Sequence, residues 1–112
     1  LSEFAHSKTN IDIHPNAKIG KCFAIDHGCG IVIGETTIIK NNVRIYQNVT
    51  LGALSLNNPL LVRNTKRHPT IGNNVTINAT IRGGKTIIHD NCIIGCNTLI
   101  IKSVKGNSII KK

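Results

Sequence analysis

Five histidines and five carboxylates are spread over 112 residues, few enough to be weighed one at a time. His27 follows Asp26 directly in the stretch Ile25-Asp26-His27-Gly28-Cys29-Gly30, where glycines leave room around an imidazole. Asp12 stands 15 residues earlier. A carboxylate bonded to one ring nitrogen fixes the tautomer and leaves the other nitrogen as a base. Such a base can deprotonate a hydroxyl for attack on an acyl group. A solvated turn pair is the other reading of Asp26-His27. The second constellation is Arg67-His68-Pro69. A guanidinium offers a planar fork for a carboxylate, and His68 can orient a second substrate group. A basic loop end is the alternative there. Glu35, in Gly34-Glu35-Thr36-Thr37, reads as a structural acid that bonds turn amides, and His14, before Pro15, as a turn residue. His6 and His89 have no evident partner and read as surface residues.

The cysteines add little chemistry. Cys22, Cys29, Cys92 and Cys96 are an even set without a CxxC pair, and no secretory signal precedes them. Cys92 and Cys96 are four apart, a spacing a metal could use, but no nearby Cys or His pair completes a zinc set. The expectation is small buried thiols in a reducing cytosol and no metal.

A recurring element must position these groups. Ile13, Ile19, Ile25 and Ile31 fall six apart, and a second run follows at Ile33, Ile39, Ile45 and Leu51. Ile71 and Ile77, then Ile88, Ile94 and Ile100, keep the same interval. A helix cannot hold residues six apart on one face over many turns. A short strand and a turn repeated every six residues can. One aliphatic per unit points inward, while Gly or Asn takes the left-handed turn conformation that branched residues avoid. The period indicates a parallel β-helix; a sandwich would alternate with period two and turn about every 8–12 residues. With three hexapeptides per coil, Asp12 and His27 are three residues short of one coil apart and meet near one corner. The beat stops from Gly52 to Pro69, which reads as an ejected loop on a rigid solenoid, a common seat of function. A smaller slip falls at Arg82-Gly83-Gly84-Lys85.

Composition agrees. Twenty Ile stand beside only 3% aromatics, and 14 Asn are available for turns. Branched side chains suit a pleated surface. No apolar run approaches the roughly 20 residues of a membrane span, and the aliphatic content argues against disorder. The net charge of +9 invites a nucleic-acid reading, but the lysines are scattered and aromatics for base stacking are almost absent. A small anionic ligand accounts for the excess as well.

At these motifs the sequence resembles the serine acetyltransferase family of hexapeptide-repeat acyltransferases. The resemblance rests on Asp12-Ile13-His14-Pro15, Asp26-His27-Gly28-Cys29-Gly30-Ile31-Val32-Ile33-Gly34-Glu35-Thr36, Val49-Thr50-Leu51-Gly52 and Arg67-His68-Pro69, in this order. It implies an all-β, left-handed parallel β-helix with one ejected loop and a cytoplasmic homotrimer, with active sites in the grooves between subunits. It implies His27 as general base toward the L-serine hydroxyl, Asp12 as its orienting carboxylate, and direct attack on acetyl-CoA. Asp26, Arg67 and His68 would bind serine, and Gly52, Ala53, Gly83 and Gly84 would line the path of the pantetheine arm.

The family carries a helical domain ahead of the β-helix. On that pattern residues 1–9 are the end of a helical segment and residues 10–112 the β-helix, with its loop at about 53–69. A helical domain would join two trimers, and a C-terminal tail would dock into O-acetylserine sulfhydrylase; both lie outside the sequence. The interval from Ile77 to Ile81 is four where the family keeps six, so that coil should bulge or shorten. Two rival readings stand beside O-acetylserine formation: acylation of another hydroxyl acceptor, and a trimeric scaffold without activity.

Overall fold

The structure, a computed structural model, describes residues 10–54 and 65–111. The expected helical end at residues 1–9 and the middle of the ejected loop lie outside the described residues. What is described winds as a parallel β-helix. Its first coil holds β1 (Ile11–Ile13), β2 (Lys18–Ile19) and β3 (Ala24–Ile25). The second holds β4 (Ile31–Ile33), β5 (Ile38–Ile39) and β6 (Arg44–Ile45), and the third β7 (Thr50–Gly52), β8 (Thr70–Ile71) and β9 (Thr76–Ile77). The fourth holds β10 (Thr80–Arg82), β11 (Ile87–Ile88) and β12 (Ile93–Ile94), and a last partial coil adds β13 (Leu99–Ile100) and β14 (Ile109–Ile110).

Every pairing is parallel and joins one coil to the next. Sheet A has the order β1-β4-β7-β10-β13, sheet B β2-β5-β8-β11, and sheet C β3-β6-β9-β12-β14. The six-residue interval becomes three columns of stacked aliphatics. Ile33, Leu51 and Ile81 are in register in sheet A, Ile39, Ile71 and Ile88 in sheet B, and Ile45, Ile77 and Ile94 in sheet C. All nine are buried, each burial stabilising the fold by about 1.5–3 kcal/mol. Branched aliphatics fill this narrow interior where indole or phenol rings would not. Of the four thiols expected to be buried only Cys92 is, because it alone points inward; Cys22, Cys29 and Cys96 lie exposed at corners.

The turn conformation belongs mainly to asparagine. At the corner between sheets B and C, Asn42, Asn74, Asn91 and Asn107 have φ of 61°, 58°, 62° and 61°. Each donates its backbone N–H to a carbonyl of the preceding coil at 2.9 Å. The local side-chain chemistry of Asn lowers the cost of positive φ. Of the glycines, only Gly30 and Gly83 share that conformation.

Both irregular intervals are absorbed at corners, leaving the strands in register. Ile77 pairs with Ile45 and Ile94, and Ile81 with Leu51 and Ile100. The corner between them is cut to Asn78-Ala79, so this coil shortens rather than bulges. The seven-residue step from Ile81 to Ile88 is taken up where Gly83 adopts φ of 112°.

Candidate active site

Two clusters of functional side chains occupy two different corners of the triangular coil. The corner between sheets C and A follows β3 and carries Asp26 and His27. His27 has a φ of 53°, an uncommon value that histidine tolerates better than branched residues, and its side chain is 78% exposed. Its Nε2 lies 3.4 Å from Oδ1 of Asp26. That is longer than a well-formed hydrogen bond. The other carboxylate oxygen of Asp26 lies 3.4 Å from Nη1 of Arg44, on β6 of the next coil. Arg44 went unnoticed in the sequence because 18 residues separate the two; only coil stacking makes them neighbours.

Asp12 is on β1, in register with Val32 of β4, and its side chain points outward. The turn carrying His27 leads into β4, and Gly30 donates to the Asn10 carbonyl at 2.8 Å. Asp12 and His27 are thus on neighbouring coils, as their spacing requires. The Asp12 side chain makes no hydrogen bond or ion pair among the described residues, and the imidazole is turned toward Asp26.

The corner between sheets A and B carries Arg67 and His68. Thr36 organises it. Its hydroxyl oxygen accepts the backbone N–H groups of Arg67 and His68, both at 2.9 Å. The Thr36 backbone N–H donates to Nδ1 of His68 at 3.1 Å, and the hydroxyl lies 2.8 Å from the same nitrogen. Since Nδ1 accepts from a backbone N–H, it carries no proton, so the hydroxyl donates to it and Nε2 holds the ring hydrogen. Gly34 makes room for that ring: a Cβ at position 34 would overlap the imidazole. Partial burial, then Arg67 and Lys66, hold the His68 pKa below its ordinary value, which keeps the ring neutral near pH 7.

Glu35 does something other than bond turn amides. Its Oε1 accepts from Nη2 of Arg67, and its Oε2 accepts from Nδ2 of Asn16 at 3.1 Å. The Arg67 guanidinium, then Asn16, hold the Glu35 carboxyl below its usual pKa. Glu35 therefore aims the guanidinium. Its signal in the sequence was the doublet of polar residues Glu35-Thr36 before the inward Thr37, but the partner lies 32 residues away. His14 is a turn residue as expected, its Nδ1 accepting the Asn16 N–H at 3.0 Å.

The glycines assigned to the acyl-donor path gather beside Arg67. Gly83 donates to the Gly52 carbonyl at 3.0 Å, and Ala53 follows Gly52 directly. A Cβ on Gly84 would overlap the Lys66 carbonyl, so the loop end presses directly on the backbone of the fourth coil. Among the described residues no group of three side chains is placed to hold a metal ion, and no helix is long and apolar enough to cross a membrane.

No protein-family model matches the chain. Curated relatives do. It is 46% identical over 116 aligned residues to a plasmid-borne serine acetyltransferase of Synechococcus elongatus, covering 99% of this chain and 36% of that protein. It is 45% identical over 111 residues to the Staphylococcus aureus serine acetyltransferase, covering 98% of this chain and 49% of that one. The chain thus spans half or less of the relatives it matches. Among solved structures, Entamoeba histolytica serine acetyltransferase 1 in complex with L-cysteine superposes with a TM-score of 0.90 at 46% identity, covering 98% of this chain and 42% of that one. A serine acetyltransferase complex with CoA superposes with a TM-score of 0.83 at 34% identity, covering 96% and 42%. Solenoids of opposite hand cannot superpose this closely in the same chain order, so the coil winds as its relatives do, the left-handed way the motifs imply. Over nearly its whole length, therefore, the chain is homologous to serine acetyltransferases.

Proposed function

We propose that this chain transfers the acetyl group of acetyl-CoA to the hydroxyl of L-serine, giving O-acetylserine and CoA on the way to cysteine. The observation that carries the reading is the 3.4 Å approach of His27 Nε2 and Asp26 Oδ1 on an exposed corner, in a chain 46% identical to a serine acetyltransferase. A β-hydroxy ammonium compound fits that pair. Its ammonium binds the Asp26 carboxylate and its hydroxyl donates to the His27 imidazole.

The steps follow from charge and geometry. His27 takes the hydroxyl proton as the serine oxygen attacks the thioester carbonyl. Asp12, on the adjoining coil, stabilises the imidazolium that forms. The tetrahedral intermediate then collapses, the C–S bond breaks, and the proton on His27 passes to the departing thiolate of CoA. Arg67, aimed by Glu35, pairs with the serine carboxylate through its planar fork. His68, neutral and held by Thr36, offers Nε2–H to the substrate. Backbone groups at Gly52, Ala53, Gly83 and Gly84 hold the pantetheine arm, and the +9 charge attracts the anionic donor.

One chain does not bring its two clusters together. Asp26 and His27 are on the corner between sheets C and A, while Arg67 and His68 are on the corner between A and B. The full width of sheet A separates them. A ring in which each copy presents one corner to the other corner of its neighbour completes the site, and a triangular cross-section closes that ring at three. The proposal therefore includes a homotrimer with its sites between subunits. It also includes a β-helix domain over residues 10–112, preceded by a helical segment and located in the cytoplasm. A dimer of trimers and docking to O-acetylserine sulfhydrylase would need the helical domain and the C-terminal tail.

The test is free-thiol release from acetyl-CoA in the presence of L-serine and a panel of other hydroxyl acceptors. Serine-dependent release is expected. Release with a sugar and none with serine would reassign the acceptor, and no release with any acceptor would leave a scaffold.

A further inference from the structure

The two oxygens of Asp26 face two different cationic or ionisable neighbours. Oδ1 lies 3.4 Å from Nε2 of His27, and Oδ2 lies 3.4 Å from Nη1 of Arg44. Arg44 stands on the outer face of β6, in register with Ala24 of β3 on one side and Thr76 of β9 on the other. Ala24 is too short to obstruct, so the guanidinium lies across it and reaches the corner where Asp26 follows β3. The backbone fixes this register, with Asp26 donating its N–H to the Ile45 carbonyl at 2.9 Å. Arg44 is also the single charged residue in the five strands of sheet C, whose other outward residues are Ala24, Thr76, Ile93 and Ile109. Among the described residues its one ion-pair partner is Asp26.

An ammonium held by Asp26 shares one small carboxylate with this guanidinium. Hydrogen bonds of roughly 3 Å then leave the two cations about 6 Å apart. Two effects of Arg44 oppose each other there. It steadies the carboxylate, which favours binding, and its charge repels the ammonium, which disfavours it. The steadying is small, because a 3.4 Å contact between side chains 53% and 39% exposed is a loose surface pair. The repulsion needs no hydrogen-bond geometry and falls only with distance, dielectric and salt. No second carboxylate among the described residues pairs with the guanidinium to offset its charge. Repulsion therefore wins.

We propose, resting on the catalytic reading above, that Arg44 is a specificity residue for the acceptor. Its charge beside Asp26 weakens the hold on an ammonium and narrows the preference for an amino acid over the same β-hydroxy acid without the amine. L-serine and β-hydroxypropionate make that comparison: both carry the hydroxyl and the carboxylate, and only the first carries the ammonium. Any attraction of Arg44 for the shared carboxylate cancels in the ratio of the two. With Asp26 alone the site would select the ammonium more strictly. With Arg44 it holds serine more loosely and admits a broader set of hydroxyl acceptors. Arg44 acts through Asp26 and does not touch the reacting atoms, so its effect falls on KM and not on kcat.

Steady-state kinetics and acceptor binding in two variants test it. Arg44→Met keeps the long stem and removes the charge. At low ionic strength it should lower the KM for L-serine about three- to tenfold and leave kcat within a factor of about two. The ratio of kcat/KM for serine over β-hydroxypropionate should rise by the same factor, and added salt should shrink that gain. Arg44→Lys keeps the charge without the planar fork and should retain the ratio of the unaltered chain. An unchanged ratio in Arg44→Met overturns the proposal, and so does a raised serine KM, which would make Arg44 a residue that positions Asp26. A ratio that rises equally in Arg44→Lys also overturns it, by assigning the effect to the fork and not the charge. Calorimetric Kd values for both compounds, measured without acetyl-CoA, separate this role from the reaction. A binding ratio that shifts as stated, with no thiol release from acetyl-CoA, would support the role of Arg44 and refute the catalytic reading. Serine-dependent release with an unmoved ratio would do the reverse, and if neither compound binds, both fall.

Discussion

The hydroxyl of Thr36 lies 2.8 Å from Nδ1 of His68, although 32 residues separate them in the chain. The same oxygen accepts the N–H groups of Arg67 and His68. One side chain thus sets the backbone of the loop end, the tautomer of its histidine and the starting point of its arginine. Thr36→Val keeps the shape and removes the hydroxyl, leaving two part-buried N–H groups without an acceptor. Stability should fall by about 1–3 kcal/mol in urea denaturation. The KM for serine should rise more than kcat falls, and Thr36→Ser should recover most of both. Unchanged serine KM in Thr36→Val would separate Thr36 from substrate binding.

His68 also makes a pH prediction. Its pKa is lowered in the folded chain, first by desolvation and then by Arg67 and Lys66. Between the folded value and the ordinary 6.5, the unfolded chain binds more protons than the folded one. Stability should therefore rise with pH through that window and contribute no further slope above it. An NMR titration should place the His68 transition below 6.5, and in Thr36→Val the transition should move up. A transition at or above 6.5 in the unmodified chain would show that protonated His68 is accommodated.

His27→Ala should reduce kcat by about 10²–10⁴-fold, the usual worth of a general base, with little change in melting temperature because the side chain is exposed. Asp12→Asn should lower kcat steeply as well and alter the limb of the pH–rate profile that reports the base. If Asp12→Asn retained full activity with the same profile, the orienting carboxylate would have to be Asp26, which already faces the ring.

At the asparagine corner, Asn74→Val forces a branched residue to φ of 58° and should cost about 1–2 kcal/mol. Asn74→Gly should cost less, because glycine adopts that conformation freely. Chemical denaturation of the two variants measures the difference. Equal losses would mean that the Asn74 side chain, whose Nδ2 donates to Oδ1 of Asn91 at 3.2 Å, matters more than its backbone.

Much of the fold was legible because a β-helix writes its geometry at short range. Ile33, Ile39 and Ile45 sit six apart because each must point inward from one of three successive faces, and any helical period would scatter them. Asn42, Asn74 and Asn91 mark corners because few other side chains tolerate their φ. The candidate residues stood out by type: Asp26-His27 and Arg67-His68 were singled out, and the structure puts the first pair on an exposed corner and the second, partly buried, on another. What holds them did not. Arg44 reaches Asp26, and Glu35 and Thr36 reach Arg67 and His68, across one coil, and nothing in their local sequence names the partner.

The sequence by itself therefore determined the period, the inward aliphatics and the left-handed corners, and it supplied the residues proposed for acyl-transfer chemistry, since each depends on neighbours a few positions away. Tertiary structure alone decided which corner each residue occupies. It put His27 and Arg67 on different edges of one prism, turned Glu35 toward a side chain instead of turn amides, and set Arg44 beside Asp26. Those outcomes depend on how coils stack, and stacking brings together residues about 18 to 32 positions apart whose separation varies with every insertion and deletion between them.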